Sequence, residues 1–340
     1  MKNNTSDIIH NTSRQPKLSV IIPLSNKAPY VKKALESVCQ QTFKDWELIV
    51  VDDGSTDNSA TICEKFIEEA LQTIHNTLYI IHQTNSGVSA ARNNGVAKAS
   101  GNYIAFLDAD DWWEPTFLEK MLQLIEDYPE AGLYACNYVY YKPGKTHVAL
   151  NIPTGYINYP KAYYEGGAMP VWTGAAIMPR AVFNEMGGFP LGIKLGEDFL
   201  LWAKIAMQYP VAFLNESLAW YNNDVPVNLR ATRNLHHPNN HMLFRMDSIA
   251  SSLSPLASNL KSDWQALLDK LRVNGLLEYW MSKEYHDIAA QELAKVDWSL
   301  QPDSVKRIYK TPIWMLKAKR QVMKWGSWCK QLIIRLKVIG

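Results

Sequence analysis

The sequence predicts an α/β fold with a mainly parallel, doubly wound sheet and an α-helical C-terminal extension. Short apolar segments alternate with segments of helical periodicity in the first third of the chain. Clusters of polar residues follow three of the apolar segments, and the chain beyond about residue 236 carries only helical patterns. This alternation is typical of parallel sheets that are covered by helices on both faces.

The predicted strands are apolar runs bounded by turn-forming residues, and we expect Pro23 to end the first of them. They comprise Leu18–Ile22, Trp46–Val51, Leu78–His82, Tyr103–Leu107 and Val211–Tyr221. The predicted helices have apolar residues at three- and four-residue steps. They comprise Ala28–Gln41, Ala60–Leu71, Val88–Ala99, Arg180–Met186 and Asp198–Tyr209.

Length and composition indicate a globular protein with one large domain and an appendage. The chain has 340 residues, 47% of them hydrophobic, which is enough for a sizeable core. We expect a disordered segment over residues 1–16, an α/β domain over 17–235 and a helical region over 236–340. The four cysteines lie far apart, which favours reduced cytoplasmic thiols over a disulfide or a zinc site. The N-terminal residues lack the apolar core of a secretory signal, and no apolar run approaches the ~18 residues that a membrane-spanning helix needs.

The charge is distributed unevenly. Residues 304–340 contain ten Lys and Arg residues and no Asp or Glu, whereas the rest of the chain has 25 basic and 33 acidic residues. An acidic body argues against nucleic acid as a partner, and the basic end predicts contact with an anionic surface.

Three carboxylates occur within four residues after the fourth predicted strand, in Asp108-Ala109-Asp110-Asp111. Carboxylates this close repel one another unless a cation neutralises them, and Mg²⁺ or Mn²⁺ with oxygen ligands is suited to that task. The alternative is an acidic helix N-terminus, because Pro115 marks a helix start.

A second acidic cluster, Asp52-Asp53-Gly54-Ser55-Thr56-Asp57, follows the second predicted strand. Asp52 and Asp53 are placed to hold a nucleobase or ribose hydroxyls beyond the carboxyl ends of the strands, where ligands bind in such sheets. The same residues also fit a simple turn in which Ser55 or Asp57 caps the next helix.

Five ordered sequence blocks make the chain resemble the family 2 glycosyltransferases, from Leu18 to about Tyr221. The blocks are Leu18–Pro23 (LSVIIP), Gln41–Asp57 (QTFKDWELIVVDDGSTD), Asn85–Asn93 (NSGVSAARN), Gly101–Asp111 (GNYIAFLDADD) and Gly196–Asp198 (GED). The resemblance implies the Rossmann-like GT-A fold. It also implies inverting transfer of a sugar from a nucleotide-diphosphate donor to a hydroxyl acceptor, with a UDP-sugar as the favoured donor. It also implies Mn²⁺ or Mg²⁺ as the cofactor.

The resemblance further implies roles for single residues. Asp110, with Asp108, binds the metal, and Asp198, or less favourably Glu197, is the general base. The implied donor-binding residues are Pro23, Asp52, Asp53, Arg92, Asp108, Ala109, Asp110, Arg230 and Arg233. The implied acceptor-binding residues are Trp172, Thr173 and Gly174.

Several of these assignments have alternatives. Trp172 suits stacking on a sugar but also suits a core, and Arg230 and Arg233 suit a pyrophosphate but also a solvated loop. His236, His237 and His241 are candidates for a further metal ligand or for exposed linker residues. Family members commonly have a Tyr that covers the base in the place where this chain has Ser25, so the nucleobase is left open.

The C-terminal residues 312–338 predict a basic amphipathic helix with apolar residues on one face. Its Trp residues and its basic charge favour the interface of an anionic membrane, and packing on the catalytic domain or on a second copy in a homodimer is the alternative. A glycan or lipid-linked acceptor on the inner face of the cell membrane would fit surface-polysaccharide or lipopolysaccharide synthesis.

Two other functions remain as alternatives. A nucleotidyltransferase would need a glycine-rich basic loop after the first strand, and residues 23–27 contain no glycine. A catalytically inactive sugar-binding or scaffold subunit is disfavoured because Asp110 and Asp198 are both present.

Overall fold

The computed structural model describes residues 15–74, 76–226, 235–254 and 256–321. These residues divide into two compact units, one up to Trp264 and one from Gln265 onward. The boundary between the units lies within the helix Ser258–Gly275. It comes later in the chain than residue 235, where the sequence predicts the end of the α/β domain.

The first unit contains ten strands in its described part. They are β1 (Leu18–Leu24), β2 (Trp46–Asp53), β3 (Thr77–Gln83), β4 (Tyr103–Phe106), β5 (Trp112–Trp113), β6 (Leu133–Lys142), β7 (Lys145–Val148), β8 (Gly155–Ile157), β9 (Ala176–Pro179) and β10 (Val211–Asn222).

The helices of the chain fall into two groups. Those that precede residue 252 are α1 (Val31–Cys39), α2 (Ser59–Ala70), α3 (Val88–Lys98), α4 (Phe117–Asp127), α5 (Tyr159–Gly166), α6 (Arg180–Glu185), α7 (Glu197–Gln208) and α8 (Met246–Ser251). Those that follow are α9 (Ser258–Gly275), α10 (Leu277–Met281), α11 (His286–Leu293) and α12 (Asp303–Lys310). Short 3₁₀ turns occupy Thr173–Ala175, Pro238–Asn240, Met242–Phe244 and Trp298–Leu300.

The strands form one mixed sheet in the order β3-β2-β1-β4-β9-β6-β10-β5, with β7 beside β6 and β8 beside β10. The first four strands in this order are mutually parallel, with helices between them along the chain, which confirms the predicted α/β class. Strand β9 is antiparallel to both β4 and β6, so the second half of the sheet is not a continuation of the parallel pattern. Strands β6 to β9 lie between Leu133 and Pro179, where the sequence analysis predicts no strand.

The first strand continues through Pro23 to Leu24, so the prediction that Pro23 ends it is wrong. Strand β1 pairs with β2 on one side as far as Leu24, whereas its pairing with β4 on the other side ends at Ile21. A proline has no N–H to donate, and it is tolerated where strand pairing is one-sided.

The carboxyl ends of β1, β2 and β4 lie at one edge of the sheet because these strands are parallel. Ser25, Asp53 and Asp108 stand at or just beyond these ends. Asn26 joins the first two loops, since its Oδ1 accepts from the backbone N–H of Thr56 at 2.8 Å. The fold thereby gathers the acidic clusters at one place.

The second unit is helical throughout its described part, as predicted, and it has its own core. Leu268, Leu276 and Ala289 are fully buried there. Arg272 is buried among them and donates to Glu292 Oε2 at 3.4 Å, so the buried charge is paired. Residues 313–321 are helical. The rest of the helix predicted over 312–338, from residue 322 onward, lies outside the described residues. No described helix combines the length and the hydropathy that spanning a membrane demands.

Candidate active site

A cavity of about 790 Å³ opens at the carboxyl ends of the parallel strands, within the first unit. It is lined by ten of the residues assigned from the sequence, namely Pro23, Asp53, Arg92, Asp108, Ala109, Asp110, Trp172, Thr173, Glu197 and Asp198. Asp52 and Gly174 are not among its lining residues. Arg230 and Arg233 lie outside the described residues.

One wall of the cavity is acidic, and we call Asp53, Asp108, Asp110 and Asp111 its carboxylate side. The N–H of Asp111 donates to the Asp108 carbonyl at 3.0 Å, which folds the segment into a turn and brings its side chains together. Burial raises the pKa of Asp111 well above its ordinary value, and the carboxylates of Asp110 and Asp108 raise it further. The Asn222 N–H donates to Asp111 Oδ1 at 2.7 Å, so this buried carboxyl group ties the turn to β10.

Lys27 provides the positive charge that faces this wall. Its Nζ lies 2.5 Å from Asp110 Oδ2, with both side chains about one-fifth exposed. The backbone N–H of Lys27 donates to Ser59 Oγ at 2.7 Å, which fixes the loop that carries it. Asp110 is therefore accessible from the cavity and already paired with a cation.

Arg92 links the Asp108–Asp111 segment to the Gly196–Asp198 segment. Its Nη2 donates to Asp108 Oδ1 at 2.8 Å, and its Nη1 donates to Glu197 Oε1 at 2.9 Å. Burial lowers the pKa of the guanidinium, but these two carboxylates outweigh burial and leave the pKa raised. Arg92 lines the cavity, and two of its nitrogens are committed to holding Asp108 and Glu197 in place.

Asp198 stands at the first turn of α7 and differs from Glu197 in its partners. Thr173 Oγ1 donates to Asp198 Oδ2 at 3.2 Å, and the Phe199 N–H donates to Oδ1 at 2.8 Å. Burial, followed by the charge of Glu197, raises the pKa of Asp198 to about 6. A carboxylate with a pKa near neutrality is suited to accept a proton, whereas Glu197 is bound to Arg92.

Gly196, two residues before Asp198, occupies a position that only glycine fits. Its φ of +82° is a left-handed conformation that favours glycine, and a Cβ there would come within 2.3 Å of Met242 Sδ. The chain turns sharply at this point and enters α7 with Asp198 directed at the cavity.

The adjacent residues Asp52 and Asp53 have different surroundings. Asp53 lines the cavity and accepts from the N–H groups of Ser86 at 2.7 Å and Gly87 at 2.9 Å. Asp52 accepts from the Ser55 N–H at 3.1 Å, and its other oxygen lies 3.1 Å from His82 Nδ1. Both carboxylates thus organise their loops, and Asp53 is the one that a ligand in the cavity would meet.

Four aromatic rings among the lining residues form a cluster, and we call Tyr138, Tyr140, Trp172 and Tyr221 the aromatic side. The rings form a closed cycle in which the successive centroid distances are 5.3, 5.4, 5.2 and 5.0 Å. Trp172 therefore belongs to an aromatic cluster that faces the cavity. Gly174 supports it from behind, because a Cβ at Gly174 would lie 2.5 Å from the Trp172 ring.

Of the three candidate histidines, His236, His237 and His241, the last differs from its sequence-based interpretation. His241 is buried and lines the cavity, so its description as an exposed linker residue is wrong. Burial, with a smaller contribution from His236, lowers the pKa of His241 to about 4. Its Nδ1 accepts from the Leu243 N–H at 3.1 Å. Within the described ranges, no three His, Cys, Asp or Glu side chains are grouped to hold a metal.

Sequence reasoning missed several residues that line the cavity, namely Lys27, Tyr138, Tyr140, Tyr163 and Tyr221. Tyr138 and Tyr140 alternate along β6, and alternate residues of a strand face the same side. A tyrosine at every second position was therefore a detectable signal for a shared aromatic wall.

Comparison with known proteins finds glycosyltransferases among the relatives of this chain. Residues 19–187 match the model of the family described as Glycosyl transferase family 2. The chain is 36% identical over 218 residues to glycosyltransferase GlyA of Streptococcus pneumoniae serotype 4, an alignment that covers 60% of this chain and 30% of that one. It is 38% identical over 151 residues to the putative glycosyltransferase EpsH of Bacillus subtilis, covering 44% of this chain and 42% of that one. The matches thus extend over less than half of the length of these relatives.

Solved structures share the fold at low sequence identity. The complex of Staphylococcus aureus TarS 1-349 with UDP-GlcNAc has a TM-score of 0.69 at 20% identity, and the match covers 86% of this chain and 83% of that one. The mannosyltransferase PcManGT of Pyrobaculum calidifontis, in complex with GDP-Man and Mn²⁺, has a TM-score of 0.52 at 19% identity, covering 93% and 84%. These similarities confirm the predicted GT-A fold.

Proposed function

This chain belongs to glycosyltransferase family 2, and we propose that it transfers a sugar from a nucleotide diphosphate to an acceptor hydroxyl with inversion at the anomeric carbon. One observation carries the proposal. A single cavity contains the accessible carboxylate Asp110 and, from a distant part of the chain, Asp198 with a pKa raised to about 6. The first is suited to a cation and phosphates, and the second is suited to removing a proton.

The carboxylate side fits a divalent cation that is held together with a donor diphosphate. Mg²⁺ and Mn²⁺ favour oxygen ligands, and Mg²⁺ is commonly bound by one or two carboxylates plus substrate phosphates rather than by a complete protein cage. Asp110 would hold the ion, with Asp108 beside it, and Lys27 would have to move away from Asp110. The bound ion would neutralise the charge that develops on the departing nucleoside diphosphate. Mn²⁺ accompanies GDP-Man in the PcManGT complex, which favours this assignment.

The remaining donor contacts follow from the lining of the same wall. Asp53 is placed for the ribose or base, with Asp52 behind it, and Pro23 and Ala109 provide apolar surface. A UDP-sugar is the favoured donor, and the UDP-GlcNAc complex of TarS agrees with it. The proposal also assigns Arg230 and Arg233, outside the described residues, to the diphosphate.

In the reaction, the acceptor oxygen forms a bond to the anomeric carbon while the bond from that carbon to the diphosphate oxygen breaks. Asp198 takes the proton from the acceptor hydroxyl, and both electrons of the broken bond leave with the diphosphate. Attack from the face opposite the leaving group inverts the configuration. Thr173 and the N-terminal turn of α7 hold the Asp198 carboxylate during this step.

The aromatic side is the proposed acceptor site. Trp172, Tyr138, Tyr140 and Tyr221 line the cavity as a cluster of rings, and aromatic rings suit the C–H faces of a sugar. The acceptor we favour is a glycan or a lipid-linked sugar of cell-surface polysaccharide or lipopolysaccharide synthesis.

The C-terminal helix is the proposed contact with an anionic membrane surface. Within residues 313–321, Trp314 is 71% exposed beside the basic Lys317, Lys319 and Arg320. An exposed Trp among basic residues is typical of a helix at a membrane interface. We place the protein on the inner face of the cell membrane, and a homodimer through this helix is the competing arrangement.

A panel of nucleotide sugars tests the proposal. The full chain is incubated with Mn²⁺ and each donor, and release of the nucleoside diphosphate is measured with and without glycan acceptors. At least one donor should be turned over, and removal of metal by a chelator should abolish turnover. Absence of both turnover and binding across the panel would contradict the proposed function.

A further inference from the structure

A second cavity, of about 600 Å³, lies beside helix α7 in the first unit. We call it the α7 groove. Its apolar wall includes Leu191, Ile193, Leu200, Met207 and Ile249. Leu191 is 69% exposed at this site, so a large apolar side chain stands in solvent next to a concave apolar surface. Exposed apolar surface around a concave site commonly marks a place where a ligand binds.

The charges at the α7 groove have one sign. Lys204 and Arg245 are exposed at its lining, and among the described residues that line it there is no carboxylate. Arg245 Nη2 donates to the Asn239 carbonyl at 3.2 Å, which directs the guanidinium without neutralising its charge. The polar remainder of the lining consists of uncharged serine and glutamine side chains.

We infer that the α7 groove binds an anionic lipid, with its hydrocarbon chain against the apolar wall and its phosphate at Lys204 and Arg245. An apolar concavity bordered by basic side chains complements a molecule that has a long apolar chain and an anionic head. A free sugar or nucleotide would leave the apolar wall in contact with its polar groups. The binding requires no sugar donor, so the inference goes beyond the proposed transfer reaction.

The groove shares a chain segment with the catalytic cavity. Leu191 and Ile193 line the groove, whereas Lys194 and Gly196 line the catalytic cavity. The Lys194 N–H donates to the Asn240 carbonyl at 2.7 Å, which fixes the segment between the two cavities. A lipid in the groove would therefore lie against the segment that leads to Asp198.

Photo-crosslinking locates the site directly. The probe is a monoalkyl phosphate with a diazirine on its chain, used with the full chain below the concentration at which the probe forms micelles. Mass spectrometry should find crosslinks in residues 190–208 and 245–256. Crosslinks only in other parts of the chain, such as residues 303–340, or no crosslinks at all, would overturn the inference.

Surface variants test the chemistry of the site. Leu191→Glu and the double variant Lys204→Glu with Arg245→Glu should each weaken alkyl phosphate binding at least about tenfold in calorimetric titrations. Lys65→Glu is the matched control, since Lys65 is exposed on α2 and lines neither cavity. An alkyl trimethylammonium of equal chain length should bind the native chain more weakly than the phosphate does. Groove variants that bind like the control would overturn the inference, as would equal binding of both head groups.

Folding and transferase function are monitored separately. Nucleoside diphosphate affinity and far-ultraviolet circular dichroism should match the native chain in all variants. Should a glutamate variant unfold, Lys204→Met with Arg245→Met replaces it and should still lose the preference for the anionic head group. None of these measurements depends on sugar transfer. The test of the lipid site therefore stays valid even if the proposed function is wrong.

Discussion

The carboxylate side and the aromatic side of the catalytic cavity are built in different ways. The carboxylate side comes from the end of β2 and from the loop that follows β4, and its side chains are bound by N–H groups or by basic residues. Asp53 accepts from backbone N–H groups, Asp108 is held by Arg92, and Asp110 is paired with Lys27. The aromatic side comes from β6, β10 and the turn before β9, and next to it stands Asp198 with a pKa raised to about 6.

In the proposed function, binding belongs to one side and proton chemistry to the other. Fixed carboxylates beside basic residues suit a cation, whereas Asp198, with a pKa raised to about 6, can exchange a proton near neutral pH. Arg92 connects the sides because it holds Asp108 and Glu197 together. The predictions below test this division.

The largest effect is expected for Asp198→Asn. The amide keeps the shape of the side chain but cannot accept the proton, so kcat should fall by about 10² to 10⁴ while nucleoside diphosphate affinity stays unchanged. Steady-state kinetics and calorimetric titration measure the two quantities. Asp127→Asn, on the exposed end of α4, is the control and should leave kcat unchanged. Retention of native turnover in Asp198→Asn would remove Asp198 from the mechanism.

The pH dependence of kcat/KM should report the same carboxylate. Asp198 is charged above its pKa of about 6 and neutral below it, and only the charged form accepts a proton. The rate should therefore be highest above this pH and fall about tenfold for each unit below it. Initial rates at constant ionic strength provide the measurement. A rate that stays level through this pH range would show that no such base limits turnover.

A smaller effect is expected for Trp172→Phe on the aromatic side. The smaller ring reduces stacking on the acceptor sugar, so the acceptor KM should rise about 3- to 10-fold while the donor KM stays constant. Trp112→Phe is the matched control, because Trp112 stacks on Trp220 outside the cavity lining. A change in the donor KM instead of the acceptor KM would reverse the proposed roles of the two sides.

The smallest effect is expected for Lys27→Met. Without nucleotide, this substitution should increase Mn²⁺ affinity up to about fivefold, because a partly exposed ion pair contributes at most about 1 kcal/mol. Electron paramagnetic resonance of free Mn²⁺ measures the affinity. Lys32→Met, which removes the exposed pair with Glu36, should have no effect. Weaker Mn²⁺ binding in Lys27→Met would contradict competition between Lys27 and the metal.

The sequence was sufficient for the parallel half of the fold because its signals are local. Apolar strands and the polar clusters behind them are contiguous, and the rule that parallel strands end at one edge brings Asp53, Asp108 and Asp110 together. The second half depends on long-range pairing of β6 with β9 and β10, which no local pattern specifies. The contacts by which Trp172 and Tyr221 close the aromatic cycle consequently became visible only in the structure.

The neighbouring residues Asp52 and Asp53 also differ in a way that the sequence alone does not predict. Successive residues of a strand face opposite sides, so Asp53 lines the cavity while Asp52 faces His82. The sequence contains both carboxylates but not the side to which each one points. His241 is buried through the pairing of its segment with Leu195, which is likewise a long-range contact.

The division between binding and chemistry is tested most directly by titrating UDP, with and without Mn²⁺, into the native chain, Asp110→Asn and Asp198→Asn. We expect Mn²⁺ to increase UDP affinity at least about tenfold for the native chain and for Asp198→Asn. In Asp110→Asn this increase should be absent. A metal-dependent increase that survives in Asp110→Asn, or that disappears in Asp198→Asn, would contradict the assignment of binding to the carboxylate side and proton transfer to Asp198.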